Sequence, residues 1–241
     1  MPGKDGPTWV AEALKQRPDT RVVFVSGESG QGKTALLAEF SRRAMNVFPD
    51  LLVAWGDCNA YAGAGDPYLP FRDAMGMLTG DLEARWTAGT IGRDHARRLW
   101  KTLPLVLSTL LAGGPSLVGV LLDGDALLSR LAAALPDRAD WNERLGALAR
   151  RAQSGGENLE QSFLFEQCAR VLGTVADQYP LALVLDDVQW ADNASIGLLF
   201  HLGRRLVQFH SPVAQHGRQF PDRKRGAHRH GARGGHPRQP A

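Results

Sequence analysis

Cysteine is scarce in this chain: Cys58 and Cys168 are the two present in 241 residues, with no CxxC pair and no histidine-rich ligand spacing around them. That argues against a disulfide-stapled secreted fold and against a cysteine-built metal centre. Two reduced, buried thiols in a cytoplasmic protein are the expectation. A secretory leader is not expected either, because Met1 to Pro18 is polar and carries Pro2, Gly3, Gly6 and Pro7. Long apolar runs are few. The longest uncharged one, Leu103 to Leu122, approaches a membrane span in length. Pro104 and the Gly113-Gly114-Pro115-Ser116 break should instead split it into two shorter buried helices of a globular domain.

What is present is ordinary in bulk and uneven in distribution. Apolar residues make up 44% and charged residues 22%, as in soluble α/β domains, and 241 residues suffice for one such domain with an insertion. The net charge is +3, but residues 209–241 hold seven Arg or Lys against one Asp. That segment alone is +6, which leaves −3 on the rest, so the basic balance belongs to the tail.

The informative stretch is residues 21–38. Val22 to Val25 is a β-branched apolar run that predicts a buried strand. Gly27, Glu28, Ser29, Gly30, Gln31, Gly32, Lys33 and Thr34 then fit G-x-x-x-x-G-K-[ST] without a mismatch, and Ala35, Leu36, Leu37, Ala38 and Phe40 open an amphipathic helix. Glycines at that spacing let the backbone turn its N–H groups inward towards phosphate oxygens, and the helix N-terminus adds its own free donors. Lys33 is placed to reach the β- and γ-phosphates, and the Thr34 hydroxyl to ligand Mg²⁺.

Leu51 to Cys58 predicts a second strand, giving a parallel β-α-β unit with a right-handed crossover. A Gly-, Ala-, Asp- and Pro-rich loop, Asn59 to Pro70, leads into a helical region reaching about Ala152, with breaks near Gly80, Gly89, Gly113–Pro115 and Pro136. After Ser154-Gly155-Gly156, Asn158 is placed to cap a helix running to about Tyr179. Leu181 to Leu185 is apolar and ends on Asp186 and Asp187. An apolar strand ending in acid downstream of a P-loop is the pattern of a Walker B element. In a parallel sheet the ligand sits at the strands' carboxyl ends, which would set these acids beside Lys33. Asp186 would hold the Mg²⁺ shell, and Asp187 would orient or deprotonate the attacking water.

Leu183-Val184-Leu185-Asp186-Asp187-Val188-Gln189-Trp190-Ala191-Asp192, with Ser195 to Leu199 after it, resembles the Walker B region of the AAA-type domain of STAND-class signalling ATPases. Pro67-Tyr68-Leu69-Pro70-Phe71-Arg72 is similar to that family's segment after the second strand. The likeness covers about residues 21–206. It implies ATP and Mg²⁺ as ligands and a nucleotide switch in signalling or transcriptional control. Self-association and fused regulatory domains are the partners it implies. Gln189, Trp190 and Asp192 match the family, though packing and capping explain them equally well.

Two features depart from that pattern. Residues 1–20 contain nothing like the family's adenine-holding leader element. After the helix Ile196 to Val207, the family continues with an apolar sensor strand between the P-loop and Walker B strands, whereas this chain gives Phe209-His210-Ser211-Pro212 and a basic tail. Without that strand, neighbouring ladder groups would be left exposed. The tail's Arg, Gly, His, Pro and Ala composition is that of GC-rich DNA read out of frame, a hypothesis that an apolar strand encoded in neither alternative frame past Val207 would sink.

The expected fold is therefore an α/β P-loop NTPase: a parallel sheet with flanking helices and a helical insertion, incomplete at the C-terminus. The expected organisation is a leader at 1–20, a partial ATPase domain at 21–208 with its insertion at about 80–155, and a basic disordered tail at 209–241. The expected function is ATP binding with slow Mg²⁺-dependent hydrolysis, if the sheet is complete enough for activity. The alternative is a truncated, non-catalytic fragment or interaction module. Nucleic-acid contact beyond non-specific binding by the tail is not expected, because no groove-reading motif accompanies its charge.

Overall fold

The computed structural model describes residues 22–58, 67–154 and 160–209. The leader, Asn158 and the tail beyond residue 209 lie outside them. Eight α-helices and two strands follow one another in the order α1 (Lys33–Val47), β1 (Leu52–Asp57), α2 (Leu69–Leu78), α3 (Glu83–Thr87), α4 (Arg93–Gly113), α5 (Gly124–Ala134), α6 (Ala139–Gln153), α7 (Gln161–Gln178), β2 (Leu181–Asp186) and α8 (Asn193–Phe209). Short 3₁₀ turns occupy Pro115–Leu117 and Val188–Trp190.

β1 and β2 pair in parallel, in the register that sets Leu52 against Leu181 and Asp57 against Asp186. Strand alternation sends their side chains to two cores. Val53, Ala182 and Val184 face α1 in a small cluster with Ala44 and Leu51, edged by Leu37, Phe40 and Met45. Leu52, Ala54, Leu181, Leu183 and Leu185 face the larger core built by α2, α4, α7 and α8, where Phe71, Leu103, Leu107, Cys168, Val171 and Leu198 are buried. Gly56 is required where α2 meets β1, because a Cβ there would lie 1.8 Å from the Pro70 carbonyl oxygen. Glu166 on α7 ties down α8 through a two-pronged ion pair with Arg205, 2.7 and 3.0 Å.

The two edges of this sheet differ. In the observed register, the even-numbered residues of β1 direct their N–H and C=O at β2, as in Leu52 N–H to Pro180 O and Cys58 N–H to Asp186 O. The odd-numbered ones point outward, and side chains from the helical region meet four of their groups. Val53 O accepts from His95 Nε2 (2.8 Å), and Trp55 N–H donates to Met77 Sδ (3.2 Å). Trp55 O accepts from Arg85 Nη2 (3.4 Å), and Asp57 N–H donates to Asp73 Oδ2 (3.3 Å). On β2 the outward groups belong to Leu181, Leu183 and Leu185, and none of them has a hydrogen-bond partner among the described residues.

Two expectations need correction. Val22 to Val25 forms no strand: its side chains stand exposed, Phe24 at 72%, and no described strand pairs with it. β-branched residues favour a ladder but cannot supply its second half. Pro104 does not divide the 103–122 run, because α4 passes through it to Gly113. A proline inside a helix costs roughly 3 kcal/mol. Leu99, Leu103, Val106, Leu107 and Leu110 are fully buried along the same helix, and each such side chain returns about 1.5–3 kcal/mol. The break falls where expected at Gly114–Pro115. No described helix is long and apolar enough to cross a membrane.

Candidate functional site

The P-loop segment turns through Gly30 (φ 82°) and Gly32 (φ 78°), left-handed conformations that suit glycine. Gly32 is the N-cap of α1, and no side chain caps that end, so the first N–H groups of the helix stay open to an incoming acceptor. Glu28 N–H donates to Gln31 Oε1 (3.1 Å), which shapes the turn, and Gly27 to Gly32 are exposed throughout. Lys33 folds its ammonium back over the loop, donating to the carbonyls of Gly27 and Glu28 at 3.0 Å each.

Thr34 Oγ1 donates to Asp186 Oδ2 at 2.5 Å, across 152 positions of sequence. Asp186 is buried, and its other oxygen accepts from the backbone N–H of Asp187, 2.9 Å. The hydroxyl and the carboxylate are hard oxygen donors, the type Mg²⁺ takes alongside phosphate and water oxygens. No cluster of three or more His, Cys, Asp or Glu suited to a metal occurs among the described residues. A metal here would therefore rely on this oxygen pair and on its ligand. Asp187 follows in a left-handed turn (φ 53°), exposed, with Oδ1 accepting from Gln189 Nε2 at 2.9 Å. Thr34 and Asp186 are thus brought together, while the Lys33 ammonium contacts the loop's carbonyls and neither acid.

Of the residues read as either functional or structural, Asp192 is a cap. It accepts from Ala194 N–H (2.8 Å), Ser195 N–H (2.9 Å) and the Ser195 hydroxyl at the start of α8, and from Tyr68 N–H (3.2 Å). Burial raises its pKa, but those hydrogen bonds, led by Ser195, leave it below the ordinary carboxylate value. Trp190 is exposed. The Cys58 thiol is pushed up to about 11, first by burial and then by Asp192, Asp187, Asp57 and Asp186 around it. Cys168 rises to about 12 through burial alone. Both cysteines are free and buried, as their scarcity suggested.

Two site residues escaped the sequence reading. Asp57 ends β1 directly opposite Asp186, and Arg85 on α3 donates to Asp57 Oδ2 at 2.6 Å. The signal for Asp57 lay in the run Leu51 to Gly56, which ends on an acid just as Leu181 to Leu185 does. Nothing local marked Arg85.

A glycine-rich loop opening a helix, with its Thr held on the acid that ends a parallel strand, defines an α/β P-loop nucleotide-binding domain with a helical insertion. Residues 10–214 match the AAA ATPase domain family, most of the chain, and the protein belongs to that family. Nucleotide binding and hydrolysis are the general activities of such a domain. No curated protein and no solved structure matches the chain.

Proposed function

We propose that this protein binds ATP and hydrolyses it slowly with Mg²⁺, as the nucleotide switch of a signalling or transcription-regulating ATPase. The hydrogen bond between Thr34 and Asp186 carries the reading, since it sets a Walker A hydroxyl on a Walker B carboxylate at the mouth of the glycine loop. On this reading the N–H groups of Gly27, Ser29, Gly30 and Gly32, joined by those of Glu28 and Gln31 once they give up their bonds to each other, cradle the phosphates, and Lys33 exchanges its loop carbonyls for phosphate oxygens. Thr34 and Asp186 hold Mg²⁺, which when bound supplies positive charge against the phosphate oxygens. Asp187 orients the attacking water and accepts its proton.

A fluorescent ATP analogue titrated with Mg²⁺ into wild type and Lys33→Ala tests this directly. Lys33→Ala should weaken binding by at least about tenfold, the loss of one charge-assisted contact. Equal affinities would end the proposal. The second reading, a non-catalytic fragment or interaction module, draws on the unpaired, exposed Val22 to Val25 at the root of the loop. Thermal melting separates the two, because a binder must be stabilised by saturating Mg-ATP while a folded non-binder melts at the same temperature with and without it.

A further inference from the structure

The register opposes Asp57 to Asp186, so the two carboxylates leave adjacent strand ends on the same face of the sheet. That face is the one α1 packs on, as shown by Val53 and Val184 in the cluster with Ala44. Asp57 therefore stands about 5 Å, one strand spacing, to the side of the carboxylate that receives Thr34. Two acids so placed repel each other, and Arg85 answers one of them. Its Nη2 lies 2.6 Å from Asp57 Oδ2 and 3.4 Å from the Trp55 carbonyl, and its side chain is largely covered. Asp73, beneath, accepts the Asp57 N–H and also feels the Arg85 charge. Arg85 comes from α3, a five-residue helix of the insertion, so the insertion places a cation one residue column from the metal-side acid.

We propose that Arg85 is a positioning residue that sets the divalent-cation affinity of the nucleotide site by neutralising Asp57. This rests on Thr34 and Asp186 serving Mg-nucleotide, as argued above. With Arg85 in place, the Asp57–Arg85 pair contributes no net charge beside Asp186. Removing the guanidinium exposes one negative charge, which draws Mg²⁺ and repels metal-free triphosphate. Removing the Asp57 charge leaves an unpaired guanidinium and does the reverse.

The experiment follows binding of a fluorescent ATP analogue to the full chain while Mg²⁺ is titrated, and repeats it in EDTA. Arg85→Gln should lower the Mg²⁺ concentration at half-saturation about threefold or more and weaken binding in EDTA. Asp57→Asn should raise that Mg²⁺ midpoint. Arg85→Lys, and the double variant Arg85→Gln with Asp57→Asn, should both return it close to wild type. A purely structural role predicts instead that both single variants bind worse, melt lower and add their defects in the double variant, and that outcome overturns the proposal. Unchanged midpoints in variants that still bind overturn it as well, while leaving the nucleotide reading intact. Wild type that binds no nucleotide removes both.

Discussion

Asp187 occupies a backbone conformation that most side chains avoid, at φ 53°, with its carboxylate free of the Thr34 hydrogen bond and held by Gln189. Asparagine tolerates the left-handed region about as well as aspartate, so Asp187→Asn removes the charge without adding backbone strain. On the proposed mechanism, this variant loses its proton acceptor and keeps its phosphate contacts. Hydrolysis should fall by about a hundredfold or more, while the dissociation constant of the ATP analogue stays within about threefold. Phosphate release under single-turnover conditions measures the first and fluorescence titration the second. A variant that hydrolyses at the wild-type rate would take Asp187 out of the mechanism. Asp186 is the contrasting neighbour, buried and with both oxygens engaged, and it can serve a metal only by giving up or sharing the Thr34 proton contact.

Among the elements, β1 depends most on side chains from elsewhere. Its outward carbonyl at Val53 is satisfied by His95, whose ring is buried on α4. Burial holds the His95 pKa below the usual 6.5, with Arg98 and Arg85 adding to that, although the Val53 bond works the other way. The unfolded chain therefore takes up a proton below about pH 6.5 that the folded chain resists. Stability is full above that pH and declines as pH falls. Urea midpoints at pH 7.5 and 5.5 should differ less in His95→Gln than in wild type, and parallel losses would exclude His95 as the cause. Much of this element pattern was legible in sequence. The glycine loop with α1, the two apolar strands and the acid pair ending the second announced themselves through motif and local composition. Pro104 misled because its local penalty is outweighed by leucines buried on the same helix. The Asp57–Arg85 contact was hidden because 28 positions separate partners that only the packing of α3 brings together.

At the scale of the molecule, the sheet has two strands among the described residues where the sequence pattern offered three. Val22 to Val25 read as a strand because propensity is a local property, whereas a ladder needs a neighbour that no described segment provides. Phe24 accordingly stands almost in water. Phe24→Ser should change the unfolding free energy by less than about 0.5 kcal/mol, the usual range for surface positions, where a core phenylalanine would lose about 3–5 kcal/mol on truncation. Chemical denaturation decides between the two. A loss in the upper range would mean that the run is packed in solution and that the sheet is wider than two strands.

The asymmetry of the sheet's edges has a further consequence. His95, Met77, Arg85 and Asp73 hem most of one border, engaging Val53 O, both groups of Trp55 and the Asp57 N–H. Growth of the sheet is therefore favoured at the other border. A strand added at that border joins beside Leu183, on the same side of the molecule as the acid that carries Thr34.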